Sequence, residues 1–500
     1  MVSYKIKIGI APCRRNMPSN FRRKGGIWSK EAALDMKNIV IPYIKEHFSN
    51  EHVEFVDLEW LSEDGMMYEY EQAAAIAERF NAEKIDALFI ANMNFGCEEV
   101  AAKAASLCKV PTLIWAPQEV EFGITEDKNL WDDTYGGRLL DAQCGLFAIS
   151  KLLQRYHVKF TAIPTCPVDS DIFKQYFDDF AAVTCMIKNF KTMRIMKIGD
   201  RSQAFTSMMF NEDELLEKFG IEVFPFSPVA AQQKVLEIEK NTSEEEIMKI
   251  VDEFLSYFPG GDPNEELREL PQMKRGAQCY LMWKELFETT GCSAISVDNS
   301  YSMAIGGGGS MDIQLAANEG KFVMFESDML AGIMMVLMSS ATFGEKLPFF
   351  GEFTANHPTE PNVELIWHTS VYPPKIASHE NFEPYSMKGG WGVQTGMEVG
   401  KGDYTLARID AMDGKYAMLI GNYEGVDGPF TRQHYQWGKF KDWHKFELAT
   451  MYGPYVHHMV EIEGGEEISR RLKEFCRYTG IYADVPDERE TPFCDLYYKD

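Results

Sequence analysis

Strand-like runs alternate with helical segments from the start of this chain, and that alternation limits the fold more than any other feature. Lys5–Ala11 (KIKIGIA) reads as an apolar-rich strand, and Ser29–His47 has helical periodicity. His52–Leu58 (HVEFVDL), Ala87–Asn92 (ALFIAN) and Pro111–Pro117 (PTLIWAP) follow as strands. Helices around Tyr70–Phe80 and over Glu98–Cys108 separate them, and a long one over Arg138–Tyr156 closes the series. Strands alternating with helices imply a parallel, doubly wound sheet.

The pattern restarts after Pro164-Thr165-Cys166-Pro167, with helices over Asp171–Phe190, Glu212–Phe219 and Ser243–Phe258. Strands at Arg194–Gly199, Ile221–Phe226, Ala294–Val297 and Lys321–Phe325 belong to a second sheet. From about Phe350 glycine, aromatics and short alternating segments take over, among them Asp403–Asp410 (DYTLARID) and Tyr416–Ile420 (YAMLI). The expected fold is α/β: two doubly wound, Rossmann-like parallel-sheet domains (1–165 and 166–345), then a mainly β, barrel-like domain (346–500). No internal repeat or low-complexity linker appears.

A chain of 500 residues is long enough for several domains. Its net charge of -26 argues against nucleic acid or an anionic membrane surface as partner. The longest apolar run, Met329–Met338, is too short to cross a bilayer and reads as a buried helix. MVSYKIKIGIAP lacks the apolar core of a secretory signal, and the ten cysteines form no CxxC pair. Free thiols in the cytoplasm are the plain expectation. APCRRN after the first strand is not GxGxxG, and Gly306–Gly309 lacks the lysine of a P-loop.

Seven of the ten histidines fall between His357 and His458. Glu326, Glu352, His368 and His458 form a mixed oxygen and nitrogen set that suits a hard or borderline divalent ion such as Mn²⁺. Glu326 follows the strand KFVMF and precedes SDMLAGIMMVLM, at the end of a parallel strand where open α/β sheets bind ligands. Helix capping is the alternative for Glu326, although Ser327 and Asp328 can cap equally well. Glu352 sits among aromatics in FFGEFTANHP, and His368 ends VELIWH, where core burial is the ordinary alternative. In a strand the neighbours His457 and His458 point to opposite faces, so at most one would face a common metal.

In spacing and context these residues resemble the L-fucose and L-arabinose isomerase superfamily, metal-dependent aldose–ketose isomerases, over essentially the whole chain. Arabinose isomerases supply two glutamates and two histidines to Mn²⁺ in the order of Glu326, Glu352, His368 and His458. The second histidine of their Ala-His-His segment maps to His458. Fucose isomerases resemble the ESDMLAGIMM stretch and begin with an arginine-rich GIRP-type loop, where this chain has GIAPCRRNMPSNFRRKGG. The chain departs from them in carrying Glu352 in place of aspartate and Val456-His457 in place of Ala-Asn, which leaves the exact sugar open.

The resemblance implies proton transfer between C1 and C2 through a cis-enediol. Glu326 and Glu352 are then the acid–base groups as well as ligands, and His368 and His458 anchor the ion. His457 would bond substrate or a neighbouring ligand. Family members assemble as hexamers with active sites completed by a neighbour's N-terminal domain, so a homo-oligomer is expected. The basic cluster Arg14, Arg15, Arg22, Arg23 and Lys24 reads as a solvated or intersubunit loop. The sharper reading has Arg14, Arg15 and Arg22 bind sugar hydroxyls or an anionic substituent, and some relatives isomerise the sulfonated sugar sulfoquinovose. A non-catalytic sugar-binding protein and a metal-dependent hydrolase are the alternatives. The absence of an export signal weighs against the first, and the absence of HxH or HExxH spacing against the second.

Overall fold

The structure, a computed structural model, describes residues 2–16, 30–119, 140–201, 203, 205–257, 265–298, 311–369, 371–386, 393–431 and 433–498. The chain divides into two compact units, Tyr4–Lys188 and Asn189–Asp500, the latter with the first three residues. Among the described residues no helix is long and apolar enough to cross a membrane.

The unit Tyr4–Lys188 is built on five strands: β1 (Ile6–Cys13), β2 (Val53–Val56), β3 (Ala87–Asn92), β4 (Thr112–Trp115) and β5 (Phe160–Ala162). They pair wholly in parallel in the order β2-β1-β3-β4-β5. Every residue of β3 and β4 is buried, which is why ALFIAN and TLIW are nearly continuous apolar runs. The strand order reverses at β1 and β3, whose carboxyl ends flank the crevice where such sheets take ligands.

The second unit holds two sheets. β6 (Arg194–Ile198), β7 (Glu222–Phe226), β8 (Ala294–Val297) and β9 (Phe322–Met324) pair in parallel in the order β7-β6-β8-β9. The remaining strands are β10 (Phe349–Asn356), β11 (Val363–His368), β12 (Ala377–Ser386), β13 (Val393–Val399), β14 (Gly402–Met412), β15 (Lys415–Val426), β16 (His434–Phe440), β17 (His458–Glu463) and β18 (Tyr482–Asp484). The chain of pairings β16-β11-β10-β17-β14-β15 closes when β15 pairs back onto β16, giving a six-stranded barrel. β12 and β13 extend it beside β16, and β18 extends it beside β15.

Helix Met329–Ser340 positions the site. All twelve of its residues are buried, so the run needs no polar face. It packs against β8 and β9 on the sheet side and against β14 and β17 on the barrel side. The loop leading into this helix from β9 therefore lies where the parallel sheet meets the barrel.

Candidate metal centre

Between β9 and the buried helix the chain turns through two left-handed residues, Glu326 (φ 60°) and Ser327 (φ 57°). Each such non-glycine residue costs about 1–2 kcal/mol. The turn is held by the Ser327 amide donating to Val297 O (3.2 Å) and by Ser327 Oγ donating to Asp200 O (3.0 Å). Strain at the carboxyl end of a parallel sheet is an observed outlier that points to function. Here it projects Glu326 while Asp328, the next residue but one, caps the helix by accepting from the Ala331 amide (2.9 Å). Capping is accordingly the task of Asp328, not of Glu326.

The barrel delivers the remaining groups from adjacent strands. Glu352 on β10 stands opposite His458 on β17, and His368 ends β11, the strand on the other side of β10. His458 Nε2 lies 3.1 Å from Glu326 Oε2 and 3.9 Å from Glu352 Oε2. Glu326, His368 and His458 each offer a ligand atom within 4.8 Å of the others, and so do Glu352, His457 and His458. The ring of Phe350 packs against both His368 and His458, with centroids 4.8 and 4.7 Å away.

Alternation along a strand does not separate the two neighbouring histidines as expected. β17 begins at His458, so His457 lies just before the pleat and its half-exposed Nε2 comes 3.4 Å from Glu352 Oε2. The two rings are 4.4 Å apart.

Both buried imidazoles are set in one tautomer. His368 Nδ1 faces Thr369 O at 3.1 Å and His458 Nδ1 faces Asp328 Oδ2 at 2.9 Å. A carbonyl and a carboxylate only accept, so each Nδ1 carries a proton, and Nε2 is the nitrogen each ring can offer to a metal. His458 Nε2 is buried and pairs with Glu326 Oε2 at 3.1 Å. A buried imidazole nitrogen that can give up its proton beside two carboxylates and a second imidazole fits a divalent cation.

Burial pushes the His368 pKa down to about 4, and the neighbouring His458 adds to the effect. Burial also opposes charge on His458, but its hydrogen bonds with Asp328 and Glu326 outweigh that and raise its pKa. The Glu352 pKa is raised by burial and by Glu326, with His458 opposing. Asp328 is buried too, yet Arg408 and His458 hold its carboxyl well below the usual range.

Two residues at the centre were not expected there. Asp328 was legible only as a cap. Arg408 on β14 gave no signal beyond being a lone cation in the apolar run YTLARI, and it donates from Nη1 to Asp328 Oδ2 at 2.5 Å. The arginines of the loop after β1 belong to the other compact unit. Arg14 is buried there, donating from Nε to Asp64 Oδ2 (2.7 Å) with its guanidinium carbon 3.6 Å from the Tyr68 ring centroid. Arg15 lies over Phe95 at 5.0 Å and donates to Gly96 O. Arg22, Arg23, Lys24 and Gly306–Gly309 lie outside the described residues.

Residues 24–191 match the family described as fucose/sulfoquinovose isomerase, N-terminal domain. Over that stretch the chain is similar to the N-terminal domain of fucose/sulfoquinovose isomerases. That match ends before the first of the clustered ligands, which the isomerase family comparison therefore does not touch. No curated protein matches the chain. Among solved structures, an ABC transporter periplasmic solute binding protein from Actinobacillus succinogenes 130z with bound D-allose is 11% identical, covering 68% of this chain and 93% of its own, at a TM-score of 0.16. An ABC transporter solute binding protein from Agrobacterium vitis with bound D-fucose is also 11% identical, covering 67% and 90%, at a TM-score of 0.13. Likenesses at those scores bear on neither fold nor function.

Proposed function

We propose that this protein is a divalent-metal-dependent aldose–ketose isomerase acting on a monosaccharide. The observation that carries the reading is the buried Nε2 of His458, 3.1 Å from Glu326 Oε2 and 3.9 Å from Glu352 Oε2, with His368 in the same cluster. The isomerase family of the N-terminal domain supports it independently.

Glu326, Glu352, His368 and His458 would hold the ion, with Mn²⁺ the first choice for a mixed carboxylate and imidazole set. A bound divalent ion supplies positive charge that polarises a carbonyl oxygen. The chain's own groups do the rest. Glu352, which lies beside the half-exposed His457, would take the C2 proton and return it to C1. Glu326 is the second acid–base group, and His457 offers a ring nitrogen to a sugar hydroxyl. The product of the first transfer is a cis-enediol, which reprotonates at the other carbon.

The substrate class is an aldose of the L-fucose or L-arabinose type, or an anionic sugar such as sulfoquinovose. Arg14, Arg15 and Arg22 are the proposed substrate contacts in the latter case. Arg15 is the better of the two described, because Arg14 already pairs with Asp64. A cytoplasmic homo-oligomer, hexameric as in the superfamily, completes the proposal.

Incubation with each sugar in D₂O tests the chemistry, with deuterium at C2 read by NMR. Incorporation into one recovered aldose, alongside its ketose, is the expected result. No deuterium at C2 and no ketose from any of the sugars would overturn the reading.

A further inference from the structure

The Asp328 carboxylate is fully committed inside the protein. One oxygen, Oδ1, accepts from the Ala331 amide at the start of the buried helix. The other, Oδ2, accepts from His458 Nδ1 at 2.9 Å and from Arg408 Nη1 at 2.5 Å. Asp328, His458 and Arg408 are each at most 1% exposed, so no water competes for these bonds. Arg408 in turn reaches Asp410 through Nε and Nη2, both at 3.3 Å. A helix cap explains one oxygen, and serine, threonine or asparagine would serve as well for that alone. It does not explain why the second oxygen is brought to an imidazole and backed by a buried guanidinium.

We infer that Asp328, locked in place by Arg408, is a positioning residue that holds His458 in the tautomer and orientation needed to ligate a metal. The inference rests on the metal-centre reading above. A carboxylate facing two donors fixes a proton on Nδ1 and leaves Nε2, turned toward Glu326 and Glu352, as the nitrogen that gives up its proton to bind a metal. Arg408 keeps the aspartate an acceptor by supplying the opposite charge that its burial requires. The same short turn therefore carries one ligand, Glu326, and the support for another, His458.

The discriminating substitution is Asp328→Asn. Its amide oxygen can still cap Ala331, but the NH₂ group that replaces Oδ2 then faces His458 Nδ1. The ring must accept there and move its proton to Nε2, which removes the lone pair from the ligand side. Mn²⁺ binding is measured by calorimetry on metal-stripped wild type and variant, with the melting temperature of the metal-free proteins as the check on folding. The ¹⁵N shifts of His458, assigned by comparison with His458→Gln at a pH where the ring is neutral, report the tautomer in wild type even if the variant folds poorly.

The expected result is a loss of about 10–100-fold in Mn²⁺ affinity in Asp328→Asn, of the size outer-shell partners carry, with the wild-type proton on Nδ1. Affinity within twofold of wild type in a folded Asp328→Asn protein overturns the inference, as does a wild-type proton on Nε2. Wild-type protein that binds no Mn²⁺ overturns the metal-centre reading and the inference with it, and the wild-type titration alone identifies that case.

Discussion

Glu352 and His458 stand directly opposite each other across the β10–β17 ladder, with Oε2 and Nε2 3.9 Å apart. Antiparallel pairing thus brings a carboxylate and an imidazole separated by more than a hundred residues to one point, and the rigidity of the barrel keeps them there.

Glu352→Gln removes the basic oxygen but keeps the shape. The expected outcome is a fall in kcat of about 10²–10⁴-fold, the range that general acid–base groups contribute, with Mn²⁺ affinity reduced by less than that. Steady-state kinetics and metal titration on the same preparation separate the two effects.

His458→Gln should lose ion and activity together, because it removes the one imidazole nitrogen that both groups of clustered side chains share. Mn²⁺ affinity is expected to drop by about 100-fold or more, beyond the 10–100-fold range of outer-shell partners. Metal analysis after gel filtration reads this directly.

Gly351→Ala tests the strand beneath Glu352. A Cβ there would stand 2.4 Å from Ile366 Cγ2 and 2.9 Å from the Tyr372 hydroxyl, both buried. Overpacking of this kind costs about 1–3 kcal/mol. Denaturant unfolding should show that loss, and the displaced β10 should weaken Mn²⁺ binding as well.

Glu364 on β11 gives a pH signature away from the metal. Burial raises its pKa to about 7, the Asn356 amide bonds it at 2.7 Å, and Glu447 adds repulsion. In the unfolded chain it titrates near the ordinary glutamate value of about 4.3. The fold therefore binds the proton more tightly, and the stability this contributes is complete below about pH 4 and lost as pH rises through 7. Glu364→Gln keeps the Asn356 bond and cannot ionise. It should be more stable than wild type at pH 8, by on the order of 2 kcal/mol, and equal to it at pH 4. Urea unfolding at the two pH values decides.

Arg14→Met should appear as a stability defect, since it strands Asp64 beside a buried gap. Breaking one partner of a buried pair costs about 3–5 kcal/mol. A melting temperature unchanged from wild type would argue instead that Arg14 is spare for substrate.

Much of the architecture was legible because burial on both faces writes itself as apolar runs. Ala87–Asn92, Ala294–Val297, Glu98–Cys108 and Glu212–Phe219 have the bounds expected from the residues. The helices Pro228–Asn241 and Pro271–Thr290 went unread, although Ser227 followed by Pro228 is a start signal and Ser227 Oγ does accept from the Ala230 amide. Strands of three residues, Phe160–Ala162 and Tyr482–Asp484, are too short to carry a period. Closure of the barrel through β15 and β16 depends on long-range register, which local pattern does not encode.

At the site, Glu326, Glu352, His368, His457 and His458 cluster because His368 ends β11, His458 begins β17 with His457 just before it, Glu326 lies between β9 and the buried helix, and Glu352 faces them from within β10. Asp328 and Arg408 were hidden by having ordinary local explanations, a cap and a strand cation. Only their approach in space gives them another role.

Activity of metal-stripped protein with and without added Mn²⁺, across arabinose, fucose, other aldoses and sulfoquinovose, tests the central claim most directly. Ketose formation from one sugar, absent without the ion and restored by it, is the predicted result. Isomerisation that proceeds equally well without any divalent ion, or a chain that neither binds Mn²⁺ nor turns over any sugar, would contradict it.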